Sequence, residues 1–138
     1  QQPPVFTEIR DLLLAQDSLG ECGFVKDAGR YRQLLRESHI AISTAVHDFQ
    51  GLAVLEAVAA GCLPLVPARQ AYPEWFGAEA CYPSLPEDVE GEGKAMAGWL
   101  RHLVKQIMAD EKPPAPDLTH LSWSRLRLRY KNLLEFCS

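Results

Sequence analysis

An α/β fold with a parallel sheet flanked by helices is the architecture this sequence predicts, and three observations carry it. Short apolar runs at residues 22–25, 40–43, 63–66 and 79–82 alternate with helical patterns. The run at 40–43 is continuous rather than alternating, as in strands covered on both faces. Two of the helical patterns stop at Gly20 and Gly61, the residue type that tolerates a left-handed helix exit. Strands alternating with helices in this way argue for βαβ units.

Each element follows from local chemistry. Phe6, Ile9, Leu12, Leu13 and Leu14 recur at helical spacing over residues 6–16, with Thr7 as the expected N-cap. The run at 22–25 is the first expected strand. Tyr31, Leu34, Leu35 and Ser38 mark a second helix that ends near His39, and residues 40–43 follow as a strand. A third helix is expected over residues 50–60. The next strand, at 63–66, carries Pro64 near its start, where proline is best tolerated. Residues 68–77 read as a loop with a short helical turn, and 79–82 as one more strand. Met96, Trp99, Leu100, Leu103, Val104 and Ile107 give a long amphipathic helix over 87–109, which the proline-rich break at 112–116 stops. Trp123, Leu126, Tyr130, Leu133 and Leu134 form the stripe of a last helix near 123–136. Residues 1–112 are therefore expected to form one domain, with 113–138 packing back on it. A doubly wound nucleotide-binding sheet has about five or six strands, so its first strands are expected upstream of Gln1. The start Gln1-Gln2-Pro3-Pro4, without an initiator Met, points the same way.

Composition narrows the function. A chain of 138 residues that is 47% hydrophobic and 23% charged has a core, which excludes a disordered tail, a collagen and a coiled coil. A net charge of −4 argues against bulk nucleic-acid binding by this chain alone. The longest apolar stretch is interrupted by Glu56 and falls short of the roughly 20 residues of a membrane span. Cys22, Cys62, Cys81 and Cys137 form no CxxC pair and lie in apolar contexts, so they read as small buried hydrophobes of a reducing, cytoplasmic compartment. His39, His47, His102 and His120 lack zinc-ligand spacing, so no metal is expected.

The informative segment follows the second strand. In an open parallel sheet, ligands sit beyond the carboxyl ends of the strands, against helix N-termini. Gly51 opens the third helix without a side chain, and the N–H groups of Gly51, Leu52 and Ala53 suit a phosphate. That helix is apolar on nearly every face, which predicts burial, and Glu56 is its exception. Its side chain leans towards the helix N-terminus, where two carboxylate oxygens suit a ribose diol; pairing with a base or facing water is the plainer role. Asp48 reads either as an N-cap or Asx turn or as a carboxylate for sugar hydroxyls. His47 is a hydrogen-bonding or acid–base group, or a structural histidine.

Seven residues, Phe49-Gln50-Gly51-Leu52 among them, separate Asp48 from Glu56, and Glu56 begins Glu-Ala-Val-Ala-Ala-Gly. This resembles the EX7E motif of retaining GT-B glycosyltransferases (group 1, or family 4), whose halves are Rossmann-like. Residues 43–57, with Gly61-Cys62-Leu63-Pro64 and Tyr72-Pro73-Glu74, are similar to the tRNA-queuosine mannosyltransferase-like subfamily. The resemblance covers most of residues 24–74.

The resemblance implies a C-terminal donor-binding domain. Asp48 and Glu56 would be the two acids of the motif. Asp48, with His47 and Phe49, would contact the donor sugar, and Glu56 the nucleotide ribose. Gly51, Leu52 and Ala53 would hold the diphosphate through backbone N–H groups. Thr44, Arg69 and Glu74 lie near the same mouth, Arg69 otherwise reading as a solvated loop residue. The family usually has Glu at the first position, and Asp48 is one methylene shorter. The implied substrate is a nucleotide sugar, GDP-mannose in the subfamily, with queuosine in tRNA as acceptor and no cofactor or metal. The N-terminal domain would supply the acceptor site, so the isolated chain is expected to be inactive. The alternative is a non-catalytic nucleotide-binding or regulatory α/β module derived from such a transferase.

Overall fold

The computed structural model describes residues 4–136. It divides into two compact units, Gln1–Tyr31 and Arg32–Ser138. The first unit contains α1 (Pro4–Ala15) and the start of α2 (Ala28–Glu37). Thr7 lies inside α1 rather than capping it. None of its residues is buried, and Val5, Phe6, Ile9, Leu12 and Leu14 are each about half exposed. The helix ends at Ala15, five residues before the expected glycine stop.

The strand expected at 22–25 does not form. Gly23 adopts φ +98°, which breaks an extended path, and Phe24 is 90% exposed. Cys22 is exposed as well, which corrects its reading as a buried hydrophobe; Cys62 and Cys81 are buried, and Cys137 lies outside the described residues.

In the second unit, β1 (Ile40–Ile42) and β2 (Leu63–Leu65) pair in parallel, with Ala41 opposite Pro64. The ladder is extended by Leu63 N–H to His39 O (2.8 Å) and Ser43 N–H to Leu65 O (3.1 Å). The α3 helix (Leu52–Ala59) crosses between them. Beyond β2, Tyr82 donates to Val66 O (3.0 Å) and accepts from Ala68 N–H (2.8 Å), a single parallel bridge in place of the expected fourth strand. Residues that would lengthen it are spent on a 3-10 turn, Ala78–Ala80. The described residues thus form a mixed α/β fold, mostly helical, around a two-stranded parallel sheet.

Alternation along the second strand builds two apolar clusters. Leu63 and Leu65 pack with Tyr82 and Leu103, the latter on α5 (Val89–Met108), and draw in Met96, Trp99, Leu100 and Ile107. Val66 packs with Val54 and Val58 of α3, Cys81, and Tyr72 and Phe76 of α4 (Tyr72–Phe76). The period of two that sends neighbours to opposite faces therefore places helices on both sides of β2. Asp88 starts α5 as expected of an N-cap, its carboxylate accepting from Gly91 N–H (2.9 Å). Ala115, within the proline-rich break, and Leu118 just after it pack against the α3 cluster. The α6 helix (Trp123–Phe136) matches its expected span, but none of its residues is buried, and Trp123 and Tyr130 are exposed.

Candidate functional site

The segment between β1 and α3 is held at four places. Tyr82 donates its hydroxyl to Ser43 O (3.0 Å). Arg69 donates to Ala45 O (3.0 Å) and Thr44 O (3.2 Å). Tyr72 places its hydroxyl 2.7 Å from both Ser43 Oγ and Asp48 Oδ2. Trp75 Nε1 donates to Gln50 O (3.1 Å). A loop of polar backbone running over an apolar sheet end needs partners for its carbonyls; Tyr82, Trp75 and Arg69 supply them, while Tyr72 holds the Ser43 and Asp48 side chains.

Asp48 closes the turn itself. Its Oδ1 accepts from Gly51 N–H at 2.8 Å, an Asx-type turn. The Tyr72 hydroxyl, followed by the Gly51 N–H, holds the Asp48 carboxyl below its usual range. Gly51 then adopts φ 63°, ψ 28° immediately before α3, which is why the helix starts at Leu52 and not at residue 50. A Cβ on Gly51 would stand 2.9 Å from Tyr72 Cε1, so both conformation and space require glycine.

An open concavity of about 600 Å³ lies over this turn, lined by His47, Asp48, Phe49, Gln50, Leu52 and Ala53. The volume lies within the range of small-molecule sites. Leu52 and Ala53 form the first turn of α3, where N–H groups lack intrahelical acceptors. The N–H of Gly51, expected to face a phosphate, is taken by Asp48. Phe49 is 82% exposed and His47 is exposed, so both present their side chains at the rim.

Glu56 does not line the concavity. The α3 helix buries Val54, Ala57 and Val58 and leaves Leu52, Ala53, Glu56 and Ala59 exposed, so it is one-sided rather than enclosed as expected. Glu56 lies three and four residues beyond Ala53 and Leu52, on the same exposed face one turn along. Thr44 is exposed and contributes its carbonyl to Arg69, while Glu74 is exposed in the first turn of α4, outside the concavity lining.

Arg69 corrects an expectation. It is not a solvated loop residue: its NH1 lies 2.7 Å from Glu92 Oε2 and 3.1 Å from Ser84 Oγ, and the Arg69 and Glu92 side chains are 11% and 14% exposed. The guanidinium hydrogen bond, together with Leu85 N–H, keeps the Glu92 carboxyl below its usual range. All of its assigned donors are committed to protein groups, so Arg69 fastens the loop to α5 and does not line the concavity.

Sequence reasoning missed Tyr72, Trp75 and Tyr82 as holders of the loop. The available signal was their type: a buried Tyr or Trp requires a partner for its O–H or N–H, and an unsatisfied loop carbonyl is the nearest candidate. Among the described residues, no group of three His, Cys, Asp or Glu is placed to hold a metal ion, and no helix is long and apolar enough to cross a membrane.

No family model and no solved structure matches the chain. A curated protein does: the chain is 44% identical over 52 residues, 38% of its length, to the tRNA-queuosine alpha-mannosyltransferase of Drosophila melanogaster. The chain covers only 14% of the length of that relative, so the partial similarity relates this segment to a glycosyltransferase and extends no further.

Proposed function

We propose that the chain is the nucleotide-sugar-binding part of a retaining hexosyltransferase, with GDP-mannose as donor and queuosine in tRNA as acceptor. One observation carries the reading: the turn from Asp48 to Gly51 opens α3 onto a concavity of ligand size, in a chain partly similar to a mannosyltransferase. In the proposed reaction, the bond from the sugar C1 to the donor phosphate oxygen breaks and C1 bonds to the acceptor oxygen. The nucleoside diphosphate leaves with the electron pair of the broken bond, and its departing oxygen takes the proton that the acceptor hydroxyl loses. Charge therefore develops on phosphate, where the Leu52 and Ala53 N–H groups and the α3 dipole stabilise it. His47 and Phe49 form the sugar side of the site, and Glu56 meets the ribose from the next turn. Acceptor binding and the remaining positive charge come from a preceding domain, and the protein acts in the cytoplasm.

A second reading is favoured by the bonds already made to Asp48. Both carboxylate oxygens accept hydrogen bonds from the protein itself, one from Gly51 and one from Tyr72. That arrangement also suits a non-catalytic nucleotide-binding module in which Asp48 only shapes the loop. Calorimetric titration of the chain with GDP, UDP and ADP tests the shared claim: saturable binding that Glu56→Gln weakens supports a donor site, and absence of binding to all three rejects it. Transfer of mannose by the chain joined to its preceding domain, abolished by Asp48→Ala, separates the enzyme from the module.

A further inference from the structure

The short α4 helix reaches Asp48, Gln50 and Gly51 of the turn that enters α3. The Tyr72 hydroxyl reaches Asp48, its ring edge faces Gly51, and Trp75, one turn on, holds Gln50 O. Tyr72 is fully buried, so its hydroxyl has no water to turn to. The proton order follows from chemistry: an ionised carboxylate only accepts, so the single Tyr72 proton goes to Asp48 Oδ2. The hydroxyl oxygen then accepts from Ser43 Oγ–H at 2.7 Å, and Ser43 Oγ accepts from Ala45 N–H at 3.3 Å. A directed chain of donors thus ends on one oxygen of Asp48, while Gly51 N–H occupies the other.

We propose that Tyr72 is the positioning residue of this site, acting through Asp48 to fix the turn that presents the sugar side of the concavity. The proposal rests on the reading of that concavity as a nucleotide-sugar site. Tyr72 touches no ligand; it sets where His47, Phe49 and the first N–H groups of α3 stand. The titratable groups around Asp48 are Tyr72 on α4, Arg69 acting on Tyr72, and His47 beside it in the chain; the first turn of α3 contributes none. Asp48 stays ionised to lower pH because Tyr72 donates to it.

The test compares the wild-type chain with Tyr72→Phe, which keeps the ring against Gly51 and deletes the hydroxyl. GDP-mannose affinity is expected to fall about tenfold, as for loss of a hydrogen bond to a charged group, and GDP affinity by less than about threefold on the same scale. The loss of GDP-mannose affinity at acid pH is expected to begin at higher pH in the variant. In an Asp48→Asn background, Tyr72→Phe is expected to add no further loss. Native affinity with an unmoved acid limb, or an equal loss in the Asp48→Asn background, overturns the proposal. If Tyr72→Phe does not fold, Ser43→Ala removes the donor to the hydroxyl and is expected to weaken GDP-mannose binding in the same direction; unchanged affinity overturns it. A carboxyl-carbon NMR titration of Asp48 without ligand keeps the two claims apart. A higher midpoint in Tyr72→Phe supports the role of Tyr72 even if the wild-type chain binds neither nucleotide, a result that rejects the nucleotide-sugar reading; an unmoved midpoint overturns the role of Tyr72.

Discussion

Gly51 and Tyr72 stand so close that a Cβ on the glycine would lie 2.9 Å from Tyr72 Cε1 and 3.4 Å from Cδ1. The ring that excludes a side chain at position 51 also carries the hydroxyl that binds Asp48, whose other oxygen holds the Gly51 N–H. Three residues therefore close on one another, and each constrains the other two.

Gly51→Ala is expected to destabilise the chain by about 2–3 kcal/mol: roughly 1–2 for left-handed φ in a residue with a Cβ, and about 1 or more for overpacking against a buried ring. Urea unfolding monitored by circular dichroism measures it. The buried Tyr72 ring cannot swing into solvent, so loss of nucleotide binding is expected alongside the loss of stability.

Arg69→Ala is expected to cost about 3 kcal/mol, because it strands Glu92 in a largely enclosed position and leaves the Thr44 and Ala45 carbonyls without their donor. Arg69→Lys is expected to recover only part of it, since a point charge cannot reproduce the fork of contacts to Glu92, Ser84 and two carbonyls. Equal midpoints for the wild type and Arg69→Ala would show that the pair does not fasten the loop.

Acid sensitivity follows from the same contacts. Asp48 and Glu92 both titrate lower in the fold than their usual values of 3.8 and 4.5. Their contribution is fully present above those values and is lost as pH falls through the lower folded-state values. These two groups are therefore expected to leave the urea midpoint unchanged between pH 7 and about 5.5, and to lower it below about pH 4.5. Asp48→Asn and Glu92→Gln are each expected to flatten that drop. At the alkaline end the sign reverses: burial pushes Tyr82 up to about 12, so the stability of its neutral form is lost as pH rises from 10 towards 12.

The parts of this architecture legible in the sequence are those with a local cause. Gly51 at the α3 entrance, the paired runs at 40–43 and 63–66, and the full span of α6 follow from spacing and glycine chemistry. Asp48 was readable as an Asx turn for the same reason. What escaped depends on tertiary neighbours. The run at 22–25 has strand composition, but Gly23, at φ +98°, turns the chain out of an extended path. Arg69 looked solvated because Glu92 lies 23 residues downstream, on a helix that only the fold brings alongside. Tyr72 stood in view beside Pro73 and Glu74, yet its partners are 24 and 29 residues upstream. The exposed face of α3 was marked by Glu56 alone, because the alanines and valines around it carry no sign of which side meets the sheet.

The central claim is that the entrance of α3 binds a nucleotide sugar, and amide NMR of the chain titrated with GDP-mannose tests it most directly. The account predicts saturable shifts concentrated at His47, Phe49, Leu52 and Ala53, with Glu56 one turn further along, and little change at Trp123 or Tyr130. Absence of shifts at millimolar ligand, or shifts that cluster away from residues 47–56, would contradict it.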